Sequence, residues 1–135
     1  MDIEGKKVGL DTNIFIYYFN ASEEFGFKAK NIFSQLVANK SSAVTSIITL
    51  IELLSISSTD EEISFLNKLL LGIPNLKICD LGQNIGKEAS RIRRKYGYSI
   101  PDSIQLATCI VEQADLFITN DKKLVTFREL RVLSI

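Results

Sequence analysis

The segment Val8-Gly9-Leu10-Asp11-Thr12-Asn13 decides how this sequence is interpreted. Its short apolar run is typical of a buried strand that ends at Asp11, and Thr12 and Asn13 are residue types that begin helices. The apolar stretch 14–19 follows directly. The segment therefore predicts a strand that leads into a helix, with a carboxylate at the junction.

The same alternation of strand and helix continues along the chain. Apolar residues at helical spacing predict helices at residues 25–40, 47–56, 59–70, 82–96 and 101–111. Short apolar runs between them predict strands at residues 43–45, 76–81, 116–119 and 132–135. Because no internal repeat or linker interrupts the alternation, we expect one α/β domain over residues 1–135 with a mainly parallel sheet.

Composition limits the function classes. The chain has 135 residues, of which 46% are hydrophobic and 24% charged, a balance typical of soluble globular domains. It contains no histidine, which excludes Ser-His-Asp and Cys-His catalysis and histidine-ligated zinc. Cys79 and Cys109 lack CxxC spacing and are interpreted as buried apolar residues. Since the acidic start does not resemble a signal peptide and no apolar run is long enough to span a bilayer, we expect a cytoplasmic protein.

Four acidic residues are candidates for a functional site. Asp11 and Asp121 each follow an apolar run, and the carboxyl ends of strands are where open α/β sheets carry their functional crevices. Asp102 lies in the first turn of a helix, where an acid also complements the helix dipole. Taken singly, Asp11 and Asp121 are better explained as structural helix-cap or turn aspartates, and Asp102 alone indicates little.

Glu52 is the most informative of the four acids. It is the only charged residue between Lys40 and Asp60, in a helix otherwise made of apolar and hydroxyl residues. A solvated helix face normally carries Lys and Glu, so we interpret its face as the wall of a polar cavity. The hydroxyl residues assigned to that face are Thr45, Thr49, Ser55 and Thr59.

Convergence of these four acids would require a compensating positive charge. Carboxylates about 4 Å apart repel by roughly 4 kcal/mol per pair near a protein surface. Lysine or arginine would give a structural network, whereas Mg²⁺ or Mn²⁺ would use the oxygen ligands directly. In a chain without histidine, a metal-bound hydroxide or a carboxylate base is the available way to activate water.

Four short motifs occur in order along the chain: Leu10-Asp11-Thr12-Asn13, Thr49-Leu50-Ile51-Glu52-Leu53, Pro101-Asp102-Ser103 and Ile118-Thr119-Asn120-Asp121. Together they resemble the PIN-domain ribonucleases, and among them most closely the stand-alone VapC-type toxins. The resemblance extends from Val8 to about Phe127. It implies a three-layer α/β/α sandwich and an endoribonuclease that hydrolyses RNA with Mg²⁺ or Mn²⁺.

The resemblance also implies roles for individual residues and for partners. The catalytic residues and metal ligands would be Asp11, Glu52, Asp102 and Asp121. Short polar side chains that orient these carboxylates and their waters would be Thr12, Asn13, Thr119 and Asn120. No further acid follows directly after Asp121, so both one and two metal ions stay open. The family further implies a homodimer and a small antitoxin protein that occludes the site.

Charge is distributed unevenly although 16 basic residues balance 16 acidic ones. Residues 1–70 carry 6 Lys/Arg and 9 Asp/Glu, whereas residues 71–135 carry 10 and 7. Basic residues that could hold RNA phosphates near the predicted site are Lys122, Lys123, Arg91 and Arg94. For the two arginines, a solvated helix face is an equal alternative. Tyr96 and Tyr98 are expected to pack, with stacking on bases as the alternative.

An aromatic region in the first third of the chain is relevant to association. It consists of Phe15, Tyr17, Tyr18, Phe19, Phe25 and Phe27. One small domain is not expected to bury all of it, and exposed aromatic patches favour association.

Two other function classes compete with the nuclease. A catalytically silent PIN-like module would bind RNA or protein without turnover. A receiver-like phosphoacceptor domain would also carry acids at strand ends, but the expected adjacent acid pair is missing. A DxD phosphatase is disfavoured because Asn13 stands two residues after Asp11.

Overall fold

A computed structural model describes all residues 1–135, with five strands, six α-helices and one 3₁₀ helix. In chain order they are β1 (Lys7–Leu10), α1 (Thr12–Phe19), α2 (Gly26–Val37), β2 (Ser42–Ser46), α3 (Ile47–Leu54), α4 (Asp60–Leu71), β3 (Leu76–Cys79), α5 (Gln83–Tyr96), α6 (Ile100–Val111), β4 (Leu116–Thr119), the 3₁₀ helix (Lys122–Thr126) and β5 (Arg131–Ser134). None of the helices is both long and apolar enough to cross a membrane.

The five strands form one sheet in the order β3-β2-β1-β4-β5, and every neighbouring pair is parallel. Parallel neighbours require crossover connections, and here the crossovers are helices, which flank the sheet. The α/β prediction with a central parallel sheet between helical layers is therefore confirmed.

Two apolar clusters form the core. One contains Phe15 of α1 and Phe33 of α2, which pack edge to face with ring centroids 5.3 Å apart. The other contains Ile92 of α5 and Leu106 of α6, packed with Phe117 of β4. The buried apolar residues of each of these helices recur at helical spacing, so this apolar face of the helix is the one that packs on the sheet.

Several predicted boundaries move by a few residues. The helix expected to continue to residue 40 ends at Val37, and the strand expected to reach residue 81 ends at Cys79. The last strand begins at Arg131, one residue earlier than predicted. Gly97 ends α5 as expected, because its backbone is left-handed with φ 77°.

The two cysteines and the aromatic region were also the subject of predictions. Cys79 and Cys109 are both buried and both free, as predicted. Most of the aromatic region belongs to the core. Phe15 is fully buried, and four of the other rings are partly buried and pack against the core cluster that contains it. Phe27 is the exception, with 84% of its surface exposed.

Candidate functional site

The carboxyl ends of β1 and β4 lie side by side, because Leu10 is in register with Ile118. The backbone N–H of Asp11 donates to the carbonyl oxygen of Ile118 at 3.0 Å, which continues the ladder one residue past the strand. Asp11 and Thr119 therefore meet at this edge of the sheet. Asp121 follows two residues later, at the start of the 3₁₀ helix.

Asp11 is the most buried of the four acids, with 8% of its surface exposed. Its Oδ1 accepts from the N–H of Thr12 at 2.8 Å, which caps α1, and its Oδ2 accepts from the hydroxyl of Thr119 at 2.7 Å. Burial raises the pKa of the Asp11 carboxyl, and the two hydrogen bonds oppose that rise. The nearby negative charges of Asp102 and Glu52 raise the pKa further. Three of the predicted acids are thus close enough to affect one another.

Glu52 is attached to this edge through Thr12. Its Oε1 accepts from the hydroxyl of Thr12 at 2.9 Å. Helix α3, which carries Glu52, begins where the Ser46 side chain accepts from the N–H of Ile48. Because Thr12 stands next to Asp11, this hydrogen bond ties the two acids to each other.

The hydroxyl residues expected on one face with Glu52 are only partly where they were predicted. Thr45 lies in β2, and its hydroxyl bonds to Thr49 of α3 at 2.7 Å. Ser55 ends α3 and bonds to the carbonyl of Ile51, while Thr59 caps α4. Thr45 and Thr49 therefore form a buried polar wall, whereas Ser55 and Thr59 are exposed.

Gln105 is a site residue that the sequence analysis missed. It lies on α6 with 2% of its surface exposed, and its Nε2 is 2.9 Å from Oγ1 of Thr49. Its Oε1 accepts from the hydroxyl of Ser46 at 2.7 Å. A glutamine inside the otherwise apolar run 104–107 was the available signal.

Asp102 and Asp121 are linked by a lysine. Nζ of Lys123 lies 3.7 Å from a carboxylate oxygen of each. Asp121 also caps the 3₁₀ helix by accepting from the N–H of Lys123 at 3.0 Å, and its own N–H donates to Oγ1 of Thr119. The four acids therefore fall into two overlapping groups that share Asp102.

The side chains of two of the predicted orienting residues form no hydrogen bond to the acids. Asn120 donates from Nδ2 to the hydroxyl of Tyr17 at 2.6 Å, so it braces α1. Asn13 has a buried Oδ1 without a hydrogen-bond partner. Thr12 and Thr119 are the two of the four that hydrogen-bond to carboxylates.

The site fits a divalent cation by donor type and by charge. The atoms of the four acids that could ligate a metal are all carboxylate oxygens, which suit Mg²⁺ or Mn²⁺. In addition, neither Asp11 nor Glu52 forms an ion pair with a lysine or arginine. The side chains are not gathered for ligation, since no three acids stand close enough to form a metal centre. Binding a cation would require the carboxylates to draw together.

The basic residues predicted to hold phosphates differ in whether acidic side chains already pair with them. Arg91 is paired with Glu88 and with Glu129 at 2.8 Å, so its charge is already compensated. Arg94 has only a hydroxyl partner, Ser90 at 2.6 Å, and borders a cavity of about 690 Å³ between α5 and α6. Lys122 is exposed beside the site.

Tyr96 and Tyr98 pack against the protein, as expected. Their rings stack with centroids 5.3 Å apart, and Tyr96 also packs on Phe127. Tyr98 is 4% exposed and its hydroxyl bonds to Thr126. Their aromatic faces are used within the fold.

The family model described as the PIN domain matches residues 8–131. The chain belongs to the PIN domain family. This match sets aside the receiver-like alternative. A comparison by sequence with characterised proteins found no significant match.

Solved structures share the fold of this PIN domain at low sequence identity. VapBC2 from Rickettsia felis, bound to a promoter DNA fragment, aligns with a TM-score of 0.74 at 22% identity over 95% of this chain and 98% of that chain. A toxin-antitoxin complex from Klebsiella pneumoniae gives 0.69 at 21% identity, covering 95% and 96%. VapC20 from Mycobacterium tuberculosis, described as a sarcin-ricin loop cleaving toxin, gives 0.65 at 19% identity, covering 92% and 98%.

Proposed function

We propose that this PIN domain is a metal-dependent endoribonuclease that hydrolyses RNA phosphodiester bonds. The observation that carries the proposal is the position of Asp11, a buried carboxylate whose pKa is raised by burial and by Asp102 and Glu52, without a basic partner of its own. The neighbouring negative charges disfavour the ionised form of Asp11, a cost that a bound cation offsets.

The ligands of Mg²⁺ or Mn²⁺ would be Asp11, Glu52 and Asp102, with Asp121 completing the set. When bound, the ion would activate water and neutralise charge on the phosphodiester. The protein side chains hold the carboxylates for that purpose. Thr119 keeps Oδ2 of Asp11 in place, and Thr12 keeps Glu52 turned toward it.

The RNA would approach over the basic residues around the site. Lys122 and Lys123 directly follow Asp121, and Lys123 also pairs with its carboxylate, whereas Arg94 lies on α5 with no acidic partner. Phosphate contacts of this kind position a nucleic acid without reading its sequence. Arg91 is the weakest member of the predicted set because two glutamates already bind it.

The biological role that fits best is the toxin of a toxin-antitoxin pair. The structural neighbours include toxin-antitoxin complexes, which supports a small antitoxin as partner. The proposal includes a homodimer, consistent with exposed apolar side chains such as Phe27 and Ile51. It also includes a cytoplasmic location, where RNA is accessible and free thiols stay reduced.

A cleavage assay tests the proposal. Wild type, Asp11→Asn and Asp102→Asn are incubated with structured and single-stranded RNA, with Mg²⁺, with Mn²⁺ or with a chelator. We expect metal-dependent cleavage by wild type only. Asp80→Asn, at an exposed acid outside the site, is the matched control and should cleave like wild type. Unchanged cleavage by the two folded site variants would exclude the assigned mechanism.

The catalytically silent PIN-like module is the second candidate, because no three acids are gathered into a metal centre. It predicts that the chain binds RNA without metal-dependent turnover. Calorimetric titration with Mn²⁺ followed by the same cleavage assay separates the two candidates.

A further inference from the structure

We propose that Gln105 is a positioning residue that keeps the Thr12 hydroxyl directed at Glu52 and thereby holds Glu52 beside Asp11. This inference rests on the proposed function, since its consequence is the readiness of the carboxylates for a cation. Gln105 lies outside the four motifs, and its amide lies behind the acids, next to the buried hydroxyls of Thr12, Thr49 and Ser46.

The hydroxyl hydrogens of Thr45, Thr49 and Thr12 each have an acceptor. Thr45 donates its hydrogen to the carbonyl of Leu10 at 2.9 Å, so the 2.7 Å contact between Thr45 and Thr49 takes its hydrogen from Thr49. Thr12 donates its hydrogen to the Glu52 carboxylate, which can only accept. All three hydroxyl hydrogens are therefore committed.

The hydroxyl oxygens of Thr12 and Thr49 lie close together, but no hydroxyl hydrogen lies between them. Oγ1 of Thr12 and Oγ1 of Thr49 lie 3.1 Å apart, although neither hydroxyl has a hydrogen left to place between them. Nε2 of Gln105 lies 2.9 Å from the Thr49 oxygen and 3.3 Å from the Thr12 oxygen. The two hydrogens of this amide can serve both oxygens, and Nε2 is also 3.5 Å from Oδ1 of Asp11.

The orientation of the amide is fixed from its other end. Oε1 of Gln105 accepts from the hydroxyl of Ser46 at 2.7 Å, whose oxygen in turn caps α3 by accepting from the N–H of Ile48. Ser46 and Gln105 are 1% and 2% exposed, so water has no ready access to replace either partner. Nε2 is consequently held on the side of Thr12 and Thr49.

Loss of the amide changes where Thr12 points. Without a donor between them, the two threonine oxygens repel, and the Thr12 hydroxyl relieves this by turning its hydrogen from Glu52 to Thr49. Glu52, on an exposed stretch of α3, then loses its anchor and moves into solvent. Partners that orient ligating carboxylates typically contribute about 10- to 100-fold to metal affinity.

Mn²⁺ titration by calorimetry on the full chain tests the role without relying on cleavage. Gln105→Met keeps the length of the side chain and removes both amide hydrogens, and we expect about 10-fold or greater loss of Mn²⁺ affinity. The matched control is Thr108→Val, on the same helix, because Thr108 is equally buried and bonds only to the carbonyl of Ile104. It should bind Mn²⁺ like wild type.

A double-variant cycle separates positioning from general packing. If Gln105 acts through Thr12, then Thr12→Val combined with Gln105→Met loses no more affinity than Thr12→Val alone, whereas independent contributions multiply. Should Gln105→Met fail to fold, Ser46→Ala frees the amide to rotate and is expected to weaken Mn²⁺ binding in the same direction.

The outcomes are distinguishable. Wild-type affinity in Gln105→Met, or in Ser46→Ala where that variant replaces it, overturns the role of Gln105 and leaves the nuclease proposal intact. Multiplying losses in the double variant also overturn it. A wild-type chain that binds no Mn²⁺ overturns the proposed function together with this inference.

Discussion

The hydroxyl of Thr119 donates a 2.7 Å hydrogen bond to Oδ2 of Asp11, although the two residues are 108 positions apart in the chain. The same oxygen of Thr119 accepts from the N–H of Asp121. One side chain thus joins the ends of β1 and β4 and the start of the 3₁₀ helix. Its hydrogen bond also opposes the rise in the pKa of Asp11 that burial causes.

Thr119→Val should therefore weaken both the fold and the site. A buried hydrogen bond to a charged group contributes about 1.5–3 kcal/mol, and the variant leaves the Asp11 carboxylate and the Asp121 N–H without this partner. Urea unfolding at neutral pH measures the loss. Thr108→Val, whose hydroxyl serves only a backbone carbonyl, is the control, and an equal loss in both variants would contradict a special role for Thr119.

Asp11→Asn should stabilise the metal-free chain at neutral pH while weakening Mn²⁺ binding at least ~10-fold. The pKa of Asp11 is raised in the folded state, so the protonated form is favoured by folding, and stability is lost as pH rises through that pKa. The neutral amide avoids this loss. The melting temperatures of wild type and Asp11→Asn, measured from acidic to neutral pH, should diverge as pH rises. A variant less stable than wild type at neutral pH would contradict this prediction.

Lys123→Met should tighten Mn²⁺ binding while weakening RNA binding. The ammonium group lies 3.7 Å from Asp102 and from Asp121 and competes with a cation for them. Because Lys123 is largely exposed, we expect a modest effect, about two- to five-fold. The slope of log RNA affinity against log salt concentration should also become shallower, by about the contribution of one phosphate contact. Lys122→Met controls for charge alone and should leave Mn²⁺ affinity unchanged.

Gly9→Ala should destabilise the fold because β1 passes very close to α6. An added Cβ would overlap Sγ of Cys109 and reach to within 3.0 Å of the Phe117 ring. Overpacking of this kind costs about 1–3 kcal/mol. Cys109→Ala removes the sulfur, so the double variant should regain most of the loss in chemical denaturation. Purely additive losses would rule out this contact as the cause.

Glu129→Gln should lower stability near neutral pH and have little effect in acid. Arg91 holds the pKa of Glu129 below its usual value, so the stabilisation is present above the unfolded-state pKa and disappears as pH falls through the folded one. A partly exposed pair contributes at most about 1 kcal/mol. Unfolding curves of both proteins at neutral and at acidic pH check this, and a pH-independent difference would refute it.

The strands and their acidic ends could be predicted from local patterns. A short apolar run followed by Asp11 or by Asn120-Asp121 specifies a buried strand and its end within a few residues. Helix spacing likewise identifies α5 and α6. These features depend on neighbours in sequence, which is why boundaries were wrong by only a few residues.

The contacts behind the acids depend on residues far apart in sequence. Ser46 and Gln105 are 59 positions apart, and nothing local to Gln105 indicates which hydroxyls it will meet. Similarly, nothing near Arg91 in the sequence indicates its ion pair with Glu129, which is 38 positions away. The assignment of Thr45 to the face of the Glu52 helix failed because Thr45 lies in β2, before the helix begins at Ile47.

The order of the sheet determines when its acidic edge can form during synthesis. Strand β1 precedes β2 and β4 in the chain but lies between them in the sheet, and β4 comes after β2 and β3. A growing polypeptide therefore carries Asp11 and Glu52 before Thr119 or Asp121 exists to join them. The acidic edge is therefore assembled only after β4 has been made, although two of its carboxylates are already present in the chain.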